Sequence, residues 1–167
     1  MKRTGRQIFF IFLLVATLAT MGAAQGMNNQ ERTPFTGTEF MGAVIDPGKI
    51  TQAKGKVHIE GMVQLAKEVT SDPRTSGDST IEINAVLDAK TFAGRMWGTF
   101  TIKNSEGEWT GSWTGRKTAN GYSFIKAQGE GKGGYAGLDA KWHYTRLSPD
   151  PMGPMEIRGI LFEKKGN

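Results

Sequence analysis

Cysteine is absent from this chain. That excludes disulfide scaffolds, zinc ribbons, iron–sulfur clusters, thiol catalysis and a lipidated N-terminal cysteine, since each needs a cysteine sulfur. Proline is scarce, at 6 of 167 residues, and the 23 glycines follow no three-residue period, so a collagen-like chain is excluded. No block of five or six like charges and no basic helix is present, and nucleic acid is therefore not expected as a partner. Gly-Lys-Ser/Thr, Gly-x-Ser-x-Gly and Asn-x-Ser/Thr are also missing, which removes the local signatures of a phosphate loop, a hydrolase elbow and N-glycosylation. What is present is a glycine-rich chain with 10% aromatic residues, too many for ordinary disorder and typical of an all-β domain.

The first 24 residues, MKRTGRQIFFIFLLVATLATMGAA, read as a secretory signal peptide: a basic start (Lys2, Arg3, Arg6), an apolar run from Ile8 to Ala19, then small residues. A run of about a dozen apolar residues is short of the roughly 20 that span a bilayer. Cleavage near Ala24 predicts a secreted or periplasmic protein that meets a membrane only during export. Of the formal +5, three units belong to this leader, so the mature 143 residues are close to neutral. Residues 25–33 are polar and read as a flexible lead-in, and 34–167 as one domain.

Turn signals recur along that domain, at Asp46-Pro47-Gly48, Ser71 to Asp78, Asp88 to Gly94, Asn104 to Gly107, Asn120-Gly121, Gly131 to Gly134 and Ser148 to Pro154. They divide it into eight strand-like segments, 34–45, 54–70, 79–88, 94–103, 108–118, 121–130, 136–147 and 155–163. Alternation sorts their side chains onto two faces. In the second segment Val57, Ile59, Val63 and Leu65 fall on the apolar face, with His58, Glu60 and Gln64 opposite. Ile81, Ile83, Ala85 and Leu87 form the apolar face of the third, and Met96, Phe100 and Ile102 that of the fourth. Trp109 and Trp113 do so in the fifth, and Leu138, Ala140, Trp142 and Tyr144 in the seventh. Asn120-Gly121 fits a type I′ hairpin. Eight sequential antiparallel strands predict a closed up-and-down β-barrel, with a two-sheet sandwich as the alternative.

The stretch Gly129-Glu130-Gly131-Lys132-Gly133-Gly134-Tyr135-Ala136-Gly137-Leu138-Asp139-Ala140 resembles the glycine-rich hairpin of the allene oxide cyclase and dirigent barrels and of bacterial barrels related to them. Gly107-Glu108-Trp109-Thr110-Gly111-Ser112-Trp113 looks like the same bacterial group. Ala140 stands where those families often carry glycine. The resemblance covers the C-terminal half and implies a barrel; Glu39 in the first strand is its candidate for the cyclase's acidic residue. Followed by a strand and not a helix, the glycine run reads as a tight hairpin and not as a dinucleotide loop.

Two roles suit the tryptophans: filling the barrel, or walling an apolar cavity. Candidates for lining such a cavity are Phe100, Trp109, Trp113, Phe124, Trp142 and Tyr144. His58 and His143 sit on polar faces without a third ligand, so no metal is expected, and no cofactor. Ser148-Pro149-Asp150-Pro151-Met152-Gly153-Pro154 reads as a proline-stiffened connector at one rim, or a lid. The leading expectation is an exported, non-catalytic barrel that binds a small apolar ligand inside or a partner at its rim. One alternative is a cyclase or isomerase acting on a fatty-acid-derived or polyketide-like substrate, which requires inward carboxyl groups among Glu39, Glu60 and Glu82. Another is a structural or oligomer-forming module.

Overall fold

The structure, a computed structural model, describes residues 31–146 and 148–164. Residues 1–30, which include the expected signal peptide, lie outside the described residues. Nine strands follow one another: β1 (Arg32–Asp46), β2 (Lys49–Ala53), β3 (Lys56–Thr70), β4 (Gly77–Asp88), β5 (Gly94–Lys103), β6 (Gly107–Lys117), β7 (Ser123–Gly133), β8 (Leu138–Arg146) and β9 (Met155–Glu163). Each strand from β3 to β8 pairs antiparallel with the next, and β1 pairs with both β9 and β3. That double pairing closes an eight-stranded barrel, so the two-sheet sandwich is set aside.

β2 is a short strand lying between the first two expected segments, 34–45 and 54–70, in a stretch the sequence pattern left unassigned. It pairs with β3 from Lys49↔Glu60 to Ala53↔Lys56, where the β1 pairing, ending at Asp46↔Val63, leaves off. β1 and β2 thus form one interrupted strand along β3, broken at Pro47-Gly48. The turn into β3 is the type I′ hairpin, with positive φ at both Lys54 (49°) and Gly55 (71°). Asn120-Gly121 differs from expectation: only Gly121 has positive φ (87°), and its N–H closes a turn onto Thr118 O at 3.0 Å. A single left-handed residue makes this a turn followed by a glycine bulge, not type I′. Tight approach also explains this glycine, since a Cβ there would lie 2.6 Å from Pro149 Cα.

One more glycine resets the fold's inside and outside. Ile59 pairs with Ala85 but Met62 pairs with Ile83, so β3 has one extra residue at this point. Gly61, at φ 68°, takes up that bulge, and its N–H is held by Asn84 Oδ1 at 3.0 Å. Side-chain alternation changes phase across it. Val57 and Ile59 keep their expected face, but beyond the bulge Met62, Gln64, Ala66 and Glu68 point inward and Val63 and Leu65 outward. The expected placement of Gln64 outside and of Val63 and Leu65 inside is corrected accordingly. Leu65 is exposed and Gln64 buried.

The lower end of the barrel, at the β3–β4, β5–β6 and β7–β8 turns, is filled solid. Trp142 and Trp109 have no exposed surface. Trp142 meets Phe35, Phe100 and Trp109 edge-on, with centroids 6.1, 5.3 and 5.7 Å apart, and Trp109 stacks on Tyr135 at 5.4 Å. Such edge and offset contacts suit ring quadrupoles. The glycine run enters this plug: Gly129 to Gly133 finish β7 and turn toward β8, and a Cβ on Gly131 would sit 2.2 Å from Tyr135 O. On the outside, Phe40, Val44 and Ile45 of β1, Ile50 of β2, and Leu65 and Val69 of β3 are exposed.

Candidate functional site

The other half of the interior is a cavity of about 300 Å³. It begins above the aromatic plug and runs to the upper rim, bordered there by Lys117, Arg146 and Pro151. One wall is apolar, built by the inward residues of β4 to β7, among them Ile81, Ile83, Ala85, Met96, Phe100 and Trp113. The alternation read from sequence places each of these six inward.

The opposite wall is polar. Glu39 of β1 pairs directly with Glu68 of β3, and on its other side with Met155 of β9. Ser123 of β7 pairs with Arg146 of β8, which lies one register step beyond the Thr145–Glu156 pair and so beside Met155. A single row therefore carries Ser123, Arg146, Met155, Glu39 and Glu68 around five strands, all facing the cavity. Glu39, Glu68 and Arg146 are 4%, 1% and 8% exposed.

Two carboxyl groups facing one another in an apolar enclosure cannot both ionise at ordinary pH, because burial removes water and each charge repels the other. Burial pushes Glu39 up to about 7, against the pull of Arg146. Glu68 is driven well above the usual carboxylate range by burial and then by Glu39, although a hydrogen bond from Tyr144 Oη to its Oε1, at 2.9 Å, works the other way. Tyr144 is itself pushed up by burial and by the two carboxyl groups. Burial lowers Arg146, with Glu39 and Asp150 opposing. Among the described residues, Glu68 Oε2, Ser79 Oγ and Arg146 Nε have no hydrogen-bond partner. Gln64 is already engaged, its Nε2 donating to Gly42 O at 3.1 Å and to Met152 Sδ at 3.8 Å. This second contact, with Pro151 at the cavity edge, ties the Ser148–Pro154 loop over the rim.

Of the six candidate cavity residues, Phe100, Trp113 and Tyr144 line the cavity. Trp109 and Trp142 belong to the plug below it, Trp109 donating from Nε1 to Arg74 O at 2.7 Å. Phe124 is outside: Ser123, Ile125 and Ala127 take the inward positions of β7, which leaves Phe124 exposed under the Arg116 guanidinium, 5.5 Å from its ring centre. Of the three carboxyl groups named for acid chemistry, Glu39 points inward while Glu60 and Glu82 lie on the outer surface, Glu82 accepting from Thr99 Oγ1 at 3.1 Å. Glu68, Ser79 and Arg146 were not anticipated. Gly61 was the available signal for Glu68, as a glycine interrupting an alternating run. His143 is exposed between Lys126 and Arg158 of the flanking strands, and among the described residues no group of three metal-binding side chains comes together.

No protein-family model matches the chain, and no curated protein matches it in sequence.

Proposed function

We propose that this barrel binds one small, mostly apolar molecule in the upper half of its interior. The observation that carries the reading is the division of the barrel: aromatic side chains fill the lower half, and the upper half keeps a cavity of about 300 Å³ with an apolar wall and a few convergent polar groups. An eight-strand barrel can be filled entirely by side chains, so space of this size marks a binding site. Burial of the apolar wall of a ligand would drive binding, and the polar row would orient it. The chain is read as exported through its N-terminal leader and active in a secreted or periplasmic setting, with no nucleic-acid partner. A thermal-shift screen across terpenoid and lipid-like molecules tests the binding reading. A specific ligand at 100 times its Kd adds about 2.7 kcal/mol of stability. A panel that leaves the melting temperature unmoved contradicts it.

The inward carboxyl pair favours a second reading, an isomerase or cyclase resembling the allene oxide cyclase barrels. Glu39, near neutrality in its pKa, is poised to exchange a proton with a bound substrate, while the closed wall holds that substrate in one conformation. Loss of turnover in Glu39→Gln with ligand binding retained would favour the enzyme. Binding without any change in the ligand favours the carrier.

A further inference from the structure

We infer that the ligand carries an uncharged oxygen acceptor, such as a ketone, aldehyde or lactone carbonyl, and seats it at the cavity floor on Glu68 and Ser79. This rests on the ligand-binding reading above and gives it a chemical class.

The floor is defined by unmet donors. Glu68 is 1% exposed, and its Oε1 is occupied by the Tyr144 hydroxyl at 2.9 Å. Oε2 has no partner. Glu68 lines the cavity and faces Glu39 across the β1–β3 pair, and burial with the repulsion of Glu39 favours its protonated form, which makes the unpartnered Oε2 a donor at the cavity wall. Ser79, 2% exposed, pairs with Ala66, the next inward residue of β3 from Glu68, and its Oγ is likewise without a partner. Two buried donors on neighbouring strands above the aromatic plug call for an acceptor, because a buried polar group left unpaired is destabilising.

Charge decides which acceptor. A carboxylate head would face two carboxyl groups, Glu39 and Glu68. An ammonium head would have to displace the Glu68 proton and add a third cation to a cavity that Arg146 and Lys117 already border. A neutral carbonyl takes both donors and adds no charge to a region where burying one is expensive. The six apolar wall residues named above accept the hydrocarbon body.

Calorimetric titration of the whole chain with four probes of one body tests this: naphthalene, 2-acetylnaphthalene, 2-(aminomethyl)naphthalene and 2-naphthoate. The ketone is expected to bind at least tenfold more tightly than naphthalene. Glu68→Gln, whose amide still donates, should keep that advantage within about threefold, and Glu68→Leu should abolish it while naphthalene binding persists. Ser79→Ala, a smaller change, should reduce the advantage about threefold and serves if Glu68→Leu fails to fold. A preference for the amine or the carboxylate overturns the inference, as does an advantage that survives both Glu68→Leu and Ser79→Ala. Naphthalene binding with no ketone preference overturns the inference alone. If none of the four binds, the ligand-binding reading falls with it.

Discussion

Tyr144 on β8 donates its hydroxyl across the barrel to Glu68 on β3, 2.9 Å away, although 76 residues separate them in sequence. Among the described residues it is the one side-chain hydrogen bond that Glu68 receives. Removing it with Tyr144→Phe leaves a second carboxyl oxygen bare. The expected loss is about 1–3 kcal/mol of unfolding free energy, together with a further rise in the Glu68 pKa. Urea unfolding reads the first effect, and the carboxylic C=O stretch in infrared difference spectra reads the second.

Stability should fall as pH rises from weakly acidic to neutral. Glu39 ionises near its ordinary 4.5 when the chain is unfolded but at about 7 when folded, so between these values the native state holds the extra proton. Stability from this group is complete below about 4.5 and is lost as pH climbs through about 7, by about 3 kcal/mol. Glu68 extends the loss in the same direction. Asp72 acts oppositely: its hydrogen bonds and ion pair with Arg74 lower its pKa, so its contribution disappears as pH drops below 3.8 and through its folded value. A stability maximum near pH 4 to 5 follows. Chemical denaturation at a series of pH values should show it, and Glu39→Gln should flatten the alkaline side.

The two tryptophans of the plug should respond differently to loss of the indole nitrogen. Trp109 and Trp142 are both fully buried, but Trp109 donates to Arg74 O at 2.7 Å while Trp142 Nε1 has no partner among the described residues. Trp→Phe leaves a comparable void at either site. Trp109→Phe additionally orphans a carbonyl, so it should cost about 1–2 kcal/mol more than Trp142→Phe. Equal costs in guanidinium melts would mean that the Arg74 bond contributes nothing.

Gly61 carries the phase change in β3. Open space surrounds its missing Cβ, so Gly61→Ala meets no clash but must hold φ 68°, at a cost of about 1–2 kcal/mol. Deleting the residue is far worse, because it would turn Gln64, Ala66 and Glu68 outward and Leu65 inward. The deletion variant is expected to lose cooperative unfolding, where the alanine variant keeps it.

Most of the wall was legible in the sequence. Alternation in β4, β5, β6 and β8 placed Ile83, Phe100, Trp113 and Tyr144 on the inner face because those strands run without interruption. β2 escaped notice because its five residues are all exposed, and no buried face gives it a period. The polar half of the site was hidden by a different cause. A strict period of two cannot register one inserted residue, so it misassigned Val63, Gln64 and Leu65 beyond Gly61 and gave no sign that Glu68 points inward. Glu39 was visible as a candidate, but its partner Glu68 becomes its neighbour only through the β1–β3 closure, a contact 29 residues apart in the chain. Phe124 shows the converse: an aromatic residue at an outward position satisfied by Arg116 rather than by the core.

The most direct test of a ligand-binding interior is a crystal structure of the chain soaked with a brominated probe, 6-bromo-2-acetylnaphthalene, with the bromine located by its anomalous signal. The predicted result is one bromine site inside the upper barrel, in the cavity bordered by Phe100 and Trp113, with the ketone oxygen at Glu68 and Ser79. Bromine found only on the outer face of β1–β3, or an interior that stays closed to the probe, would contradict it.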